Sequence, residues 1–496
     1  MTKKLLLLIT LASLLASTTL LAEENLDADL GGFDTEEVMN QESADLDGFG
    51  DEEANSDLDG FGDDEITTVE EVVPEVKEKE AMFSLSGDLA FKTSYGYKEH
   101  EVKAYQADAQ GIDYSGFNQA QTSLYLQLDG KLSDNWKMRV GVDTYYDAIY
   151  NLHPSNNYND DTLDAYKTQL MINDAYIQGR LTKTIDLKVG RQIVVWGKSD
   201  SIRVTDIINP LDNRLPGLTD IEDLRLSVGM AKVDYYIGQW NFSAMAIGEN
   251  RIMLEAAPRS EFFPVDNVFP LGAPDPFIEL VTPDSSWDNM QYAFAANGVF
   301  SGWDLSFYAA DVLDQKWHIN PSSAKREVSK IKMLGTAINI ATGSWLLKSE
   351  IAYLDGVKYN STTDEKSRLD ALIGFDYMGI KDTVLSLEVA NRHIFDYETQ
   401  MNELTNRPDY VDQNELQTAV RATRSFENDS INATALVSMF GSSWEYGGFA
   451  RLWVEYDVMD AVVANFGIVD YIDGDKPFMK AISDNDRVFA DITYSF

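Results

Sequence analysis

The sequence predicts an all-β fold: a transmembrane antiparallel β-barrel of about 18 strands, with 16 as the alternative, preceded by a disordered acidic N-terminal tail. Three observations predict it. From about residue 82, apolar and polar residues alternate with a period of two over stretches of ten or more residues. Short turns and long polar segments alternate between those stretches. The chain has no cysteine, so an exported fold must be held by strand pairing and packing, and a closed barrel satisfies every strand amide across its wall.

The elements follow in chain order. Met1-Thr2-Lys3-Lys4 precedes an uncharged apolar run from Leu5 to Leu21, then Ala22, Glu23 and Glu24. A positive head, an apolar stretch and a small residue before a polar start describe a signal peptide over 1–22. The competing reading, a membrane anchor, fits less well: the run is marginal in length and acids follow it. No later segment approaches the ~20 apolar residues of a membrane helix.

Residues 23–80 carry 23 acids against two lysines, half of the total net charge of −42. With few apolar residues, this segment reads as a disordered tail, periplasmic if the barrel spans an outer membrane. Such acidity disfavours nucleic acid. Three copies of D-L-x-G-F-x-x-[DE]-E begin at Asp29, Asp45 and Asp57. Their apolar residues, Leu30, Phe33, Leu46, Phe49, Leu58 and Phe61, suit a repeated docking peptide that enters a partner's groove and gains avidity from its copies. A low-complexity spacer explains the repeat equally well. The glycine comes too early for a helix-loop-helix calcium loop.

In the barrel region, Phe83, Leu85, Leu89 and Phe91 alternate with Ser84, Ser86, Asp88 and Lys92, and Trp136, Met138, Val140 and Val142 with Lys137, Arg139, Gly141 and Asp143. Strands this long, with aromatics near their ends, fit lipid outside and water inside. Short turns are expected near residues 134, 182, 238, 301, 343, 380, 428 and 459. Longer segments lie between them, with one short exception at Gly441-Ser442-Ser443. Short turns on one rim and long loops on the other describe an outer-membrane barrel with its short rim towards the periplasm. The lumen is expected to be wide enough for water. The last segment alternates Val488, Ala490, Ile492, Tyr494 and Phe496 with polar or lumen residues. Ile492, Tyr494 and Phe496 resemble the terminal signal by which outer-membrane assembly machinery recognises its substrates.

Gly190-Arg191-Gln192 leads to Trp196-Gly197, then Asp206-Ile207-Ile208-Asn209-Pro210 and Glu222-Asp223-Leu224-Arg225-Leu226. This order, with Gly302-Trp303-Asp304 and the Tyr494-Ser495-Phe496 ending, resembles a large proteobacterial family of outer-membrane barrels of unknown function, marked by G-R-Q-x-x-x-W-G and D-x-I-N-P. The resemblance covers about 82–496. It implies a barrel often encoded beside a resistance-nodulation-division exporter and a periplasmic or lipoprotein partner, and hence traffic of hydrophobic organic compounds. It carries over no catalytic residue.

Alternation through Ile185, Leu187 and Val189 directs Arg191 at lipid, a cost of roughly 2–4 kcal/mol near the midplane. A bulge at Gly190 is expected to return it to the lumen; the alternative is an Arg191 at the outer rim. Trp196, Asp206, Asn209, Pro210 and Arg225 are candidates for an inward constriction, the alternative being an ordinary surface loop. Glu388 and Arg392, and Arg451 and Glu455, are spaced four apart on polar faces, either as lumen charge ladders or as wall salt bridges.

The four histidines, His100, His153, His318 and His393, show no metal spacing, and no G-x-S-x-G elbow occurs. No cofactor, metal or enzymatic activity is expected. The expected function is an outer-membrane channel for small, hydrophobic or aromatic organic solutes, with lipid around it and an exporter or other periplasmic partner on its tail. The alternative is a non-conducting scaffold that docks such a partner.

Overall fold

The computed structural model describes residues 82–102, 112–153, 158–263, 279–320, 322–323, 325–403 and 409–496. The expected signal peptide, acidic tail and docking residues Leu30, Phe33, Leu46, Phe49, Leu58 and Phe61 lie outside these residues.

Eighteen long strands form one antiparallel sheet. They are β1 Phe83–Gly96, β2 Gly116–Ser133, β3 Trp136–Asp147, β4 Thr168–Thr182, β5 Ile185–Gln192 and β6 Val228–Ile237. There follow β7 Trp240–Ile247, β8 Gln291–Phe300, β9 Trp303–Leu313, β10 Lys330–Thr342, β11 Trp345–Val357 and β12 Lys366–Ile380. The last six are β13 Thr383–Ile394, β14 Asn414–Phe426, β15 Ile431–Phe440, β16 Gly448–Met459, β17 Val462–Ile472 and β18 Arg487–Ser495. Each pairs with its sequence neighbours, and β1 pairs with β18 from Asp88↔Ser495 to Gly96↔Arg487. The sheet therefore has no free end strand. Gly87 and Phe496 exchange two backbone hydrogen bonds of 2.9 Å at the seam.

All eight expected short turns join consecutive strands on one rim. Gly238 and Gly343 sit there with φ of 58°, and a Cβ at either position would meet nothing within 4 Å. The turn conformation, not space, asks for glycine. The opposite rim carries the long loops, including α1 Ile149–Leu152, α2 Asp160–Tyr166 and α3 Pro477–Ile482. The side chain of Asn159 caps α2 by accepting Thr162 N–H at 3.1 Å.

Aromatic rings mark both ends of the wall. On the short-turn rim Phe300 stacks on Trp303 with centroids 4.3 Å apart, and Trp345 lies 4.5 Å from Tyr377. On the long-loop rim Tyr95 meets Phe117 edge-on at 5.2 Å. Between them Leu334, Leu347, Ile351 and Ile373 point outward and are exposed. This is the apolar band with aromatic girdles of an outer-membrane-type barrel.

Two expectations need correction. The interior is not uniformly wet. Met245, Ile247, Ala293, Ala310, Val312, Met333, Ala352 and Leu354 face inward and pack with Val194, Trp196, Ile202, Val204 and Ile208 of the β5–β6 loop. Strands with apolar residues on both faces are buried on both faces, and here the inner cover is the loop. The bulge at Gly190 is absent: pairing runs unbroken as Tyr176↔Gly190, Ala175↔Arg191 and Arg191↔Gly229. Arg191 therefore keeps the outward parity of Val189, near the outer end of β5. The irregularity lies one strand away, where β4 bulges at Asn173 between Gly141↔Asp174 and Val142↔Ile172.

Candidate functional site

The segment 193–227 between β5 and β6 turns into the barrel, and buried carboxylates on the wall hold it there. Glu350 of β11 accepts the Lys198, Ser199 and Thr205 N–H groups at 2.6, 2.8 and 3.1 Å, and the Thr205 hydroxyl at 2.7 Å. Glu388 of β13 accepts the Asp200, Ser201 and Ile202 N–H groups at 2.8, 3.0 and 3.0 Å. Each carboxylate is nearly inaccessible, and charge-assisted bonds offset its desolvation. Lys348 lies 2.8 Å from Asp376 and also pairs with Asp200 at the bottom of the loop.

The signature residues make this bend possible. Trp196 stacks on Tyr308 at 4.7 Å, and Gly197 N–H donates to the Tyr308 hydroxyl at 3.2 Å. Gly197 has φ of 91°, and a Cβ there would stand 2.8 Å from Glu350 Oε1. Only glycine fits. Asn209, fully buried, accepts Val194 N–H at 2.8 Å and donates to the carbonyls of Gln192 at 3.3 Å and Leu226 at 2.8 Å. It staples the loop's two ends together. The Pro210 carbonyl accepts Leu226 N–H at 2.7 Å. Asp206 receives Arg203 at 3.1 Å and Arg225 at 2.9 Å. Burial pushes the Arg203 guanidinium below its ordinary range, and Asp206 opposes that.

The second half of the loop crosses the lumen. Arg214 pairs with Asp212 and reaches Gln169 of β4 at 2.5 Å and Tyr145 of β3 at 3.3 Å. Tyr471 of β17 donates to the Pro216 carbonyl at 2.6 Å. Asp220 binds Arg451 of β16 at 2.9 Å and Arg421 of β14 at 3.1 Å. The mouth above is clasped by Glu261, which pairs with Arg487, while Phe262 is fully buried against Tyr471.

A cavity of about 280 Å³ remains between this loop and the β1–β4 wall, lined among others by Lys92, Asp143, Tyr145, Tyr166, Arg214 and Asp223. Burial pushes the Tyr166 hydroxyl up to about 12. Burial, then the neighbouring Asp220, raises the Asp223 carboxyl, while Lys92 pulls it back.

Trp196, Asp206, Asn209, Pro210, Arg225, Glu388 and Arg451 thus meet around one loop. Arg392 joins them by donating to the Arg203 carbonyl at 3.3 Å. Glu388 and Arg392 are not ion-paired to each other among the described contacts; each holds the loop backbone. Glu455 shares the parity of Arg451 but is exposed. Arg191 stands apart, paired with Glu249. Ile492 and Tyr494 lie exposed on the outer face of β18, with Phe496 at the seam. Sequence reasoning missed Glu350, Lys348, Tyr308, Asp220 and the cavity residues. Glu350 and Lys348 occupy the polar face of β11 as Glu388 does that of β13, and that parity was the available signal.

No curated protein matched the chain. Among solved structures, OccAB1 of Acinetobacter baumannii is similar with a TM-score of 0.48 and 11% identity, covering 83% of this chain and 96% of that one. The outer membrane protein opdK of Pseudomonas aeruginosa gives 0.47 and 10%, with 83% and 99% covered. OmpF of Salmonella typhi, in complex with daunomycin, gives 0.40 and 8%, with 84% and 97% covered. A family model matches residues 101–496, and the chain belongs to that family, described as Protein of unknown function (DUF1302).

Proposed function

We propose that this barrel is an outer-membrane channel for small organic solutes, narrowed by the inward loop 193–227. The observation that carries the reading is the tethering of that loop across the lumen by Glu350 and Glu388, beside which a polar gap lies against the β1–β4 wall. A bore narrowed to a lined cavity selects by size and by contact. Tyrosines beside charged groups favour solutes that join an aromatic ring to a polar group.

In this reading residues 1–22 direct export, the assembly machinery inserts the barrel through its last strand, and the acidic tail stands in the periplasm. The three repeats dock a periplasmic partner, in the fullest form an exporter of the resistance-nodulation-division type. Planar-bilayer recordings with graded solutes test the core of the proposal. Small discrete conductances that selected solutes reduce support it; a reconstituted, folded chain that conducts nothing overturns it. The second reading is the non-conducting scaffold, favoured by the apolar packing that fills part of the interior.

A further inference from the structure

The wall is not equally sealed all round. β5 has eight residues, against 15 in β4. The β4–β5 ladder stops at Ala175↔Arg191. Thr168–Asp174 of β4 therefore has no strand beside it on that edge among the described residues. At ~3.3 Å per residue and a tilt near 40°, eight residues rise only about 20 Å, less than the ~25 Å apolar band. The ladder ends within the depth of lipid. Above it Leu170 and Ile172 remain outward and exposed, Leu170 at 77%, as a lipid-facing surface requires.

Side chains close the notch. Arg191 donates to the Ile172 carbonyl at 3.1 Å and pairs with Glu249. Glu249 in turn accepts Gly229 N–H at 2.7 Å. Arg251 reaches Met171 Sδ at 2.7 Å and the Ser227 carbonyl at 2.9 Å. Met171 and Asn173, on the inner side of this seal, line the cavity beside the inward loop. Next to the seal, over the paired strands β5–β7, lies a groove of about 400 Å³ lined by Gly190, Gly229, Ala231, Ala246, Gly248 and Trp287. Trp287 is 89% exposed at its edge. The seal thus touches the cavity lining at Met171, through Arg251, and the groove lining at Gly229, through Glu249.

We propose that this notch is a lateral portal, through which the channel's aromatic solutes pass between its cavity and the outer leaflet. The inference rests on the channel reading and names the route of its aromatic substrates. A seal of side chains opens locally, whereas a ladder opens only with the strands that carry it. The ion pair also gives a cation with lipid-facing parity a role: it holds the notch shut when no solute presses on it. A solute whose aromatic ring leaves the cavity this way meets hydrocarbon at once and avoids the polar mouth clasped by Glu261 and Arg487.

The test uses the full chain in cells with an intact lipopolysaccharide leaflet, and N-phenyl-1-naphthylamine, whose fluorescence reports entry into hydrocarbon. R191A/E249A removes the seal. A231W/A246W fills the outer groove from the lipid side, since these two alanines face each other in register. Heat-modifiable gel migration verifies folding of each variant. The portal requires severalfold faster dye entry in R191A/E249A and slower entry than wild type in A231W/A246W, with planar-bilayer conductance of the latter unchanged. Dye entry unaltered in both folded variants overturns it, as does a groove variant that lowers aqueous conductance equally. If wild type conducts no ions yet dye entry responds to both variants, the aqueous channel fails and the portal stands.

Discussion

Arg225 donates its Nε–H to Asp206 at 2.9 Å, which ties together two sequence signatures 19 positions apart. Asp206 also holds Arg203, so one buried carboxylate serves two cations. Replacing it with alanine leaves both guanidinium groups unpaired. Such a loss costs roughly 3–5 kcal/mol, here concentrated in the loop. D206A is expected to keep the barrel and release the segment 193–227, seen as protease cleavage within it and noisier single-channel traces.

Glu350 and Glu388 make a graded series. Glutamine retains one accepting oxygen, alanine none. E350Q and E388Q should each raise single-channel conductance, E350A and E388A further. The double alanine variant should depart from additivity because both tether one segment. G197A, which sets a Cβ against Glu350 and strains a φ of 91°, should reproduce E350A. Conductance equal to wild type throughout would remove the loop from the bore.

Asp486, in the outer loop before β18, is buried and bonds Lys98 at 2.7 Å and Tyr471 N–H at 2.8 Å. Burial first, then a hydrogen bond shared with Asp470, raises its carboxyl from 3.8 to about 6. The folded state therefore holds this proton more tightly than the unfolded chain does. Its contribution is full below about pH 4 and is lost as pH rises towards 6. The temperature of heat-modified gel migration should fall over that interval in wild type and stay flatter in D486N.

The acidic repeats are tested by capture of periplasmic proteins on the full chain. F33A/F49A/F61A should lose the partner that wild type retains. An unchanged capture profile leaves the repeats as a spacer.

Much of the wall was legible because alternation and turns are local properties. The eight short turns and the weak outer loop at Gly441 follow from residues a few positions apart. Pairing across the lumen is not local. Nothing near Asp206 announces Arg225, and Glu350 reads as one more polar-face residue until Lys198 and Thr205 are placed against it. The Gly190 bulge failed for a related reason. Parity alone judged Arg191 too costly outside, whereas Glu249, 58 positions away, supplies its counter-charge. The apolar inner faces of β7–β9 were visible as alanine, methionine and valine on the supposedly wet side, and a buried inner cover is their physical meaning.

The inward loop also constrains how the chain matures. Its partners lie far ahead in sequence: Glu350 is 152 positions from Lys198, Glu388 188 from Asp200, and Tyr471 255 from Pro216. Contacts of such separation form late. When β5 and β6 are first laid side by side, most of what will receive the intervening segment has yet to arrive, and the apolar inner surface of the middle strands stands uncovered. Biogenesis must therefore shelter that surface until the C-terminal strands come in, and a chain truncated before β17 is expected to insert poorly even though most of its staves are present.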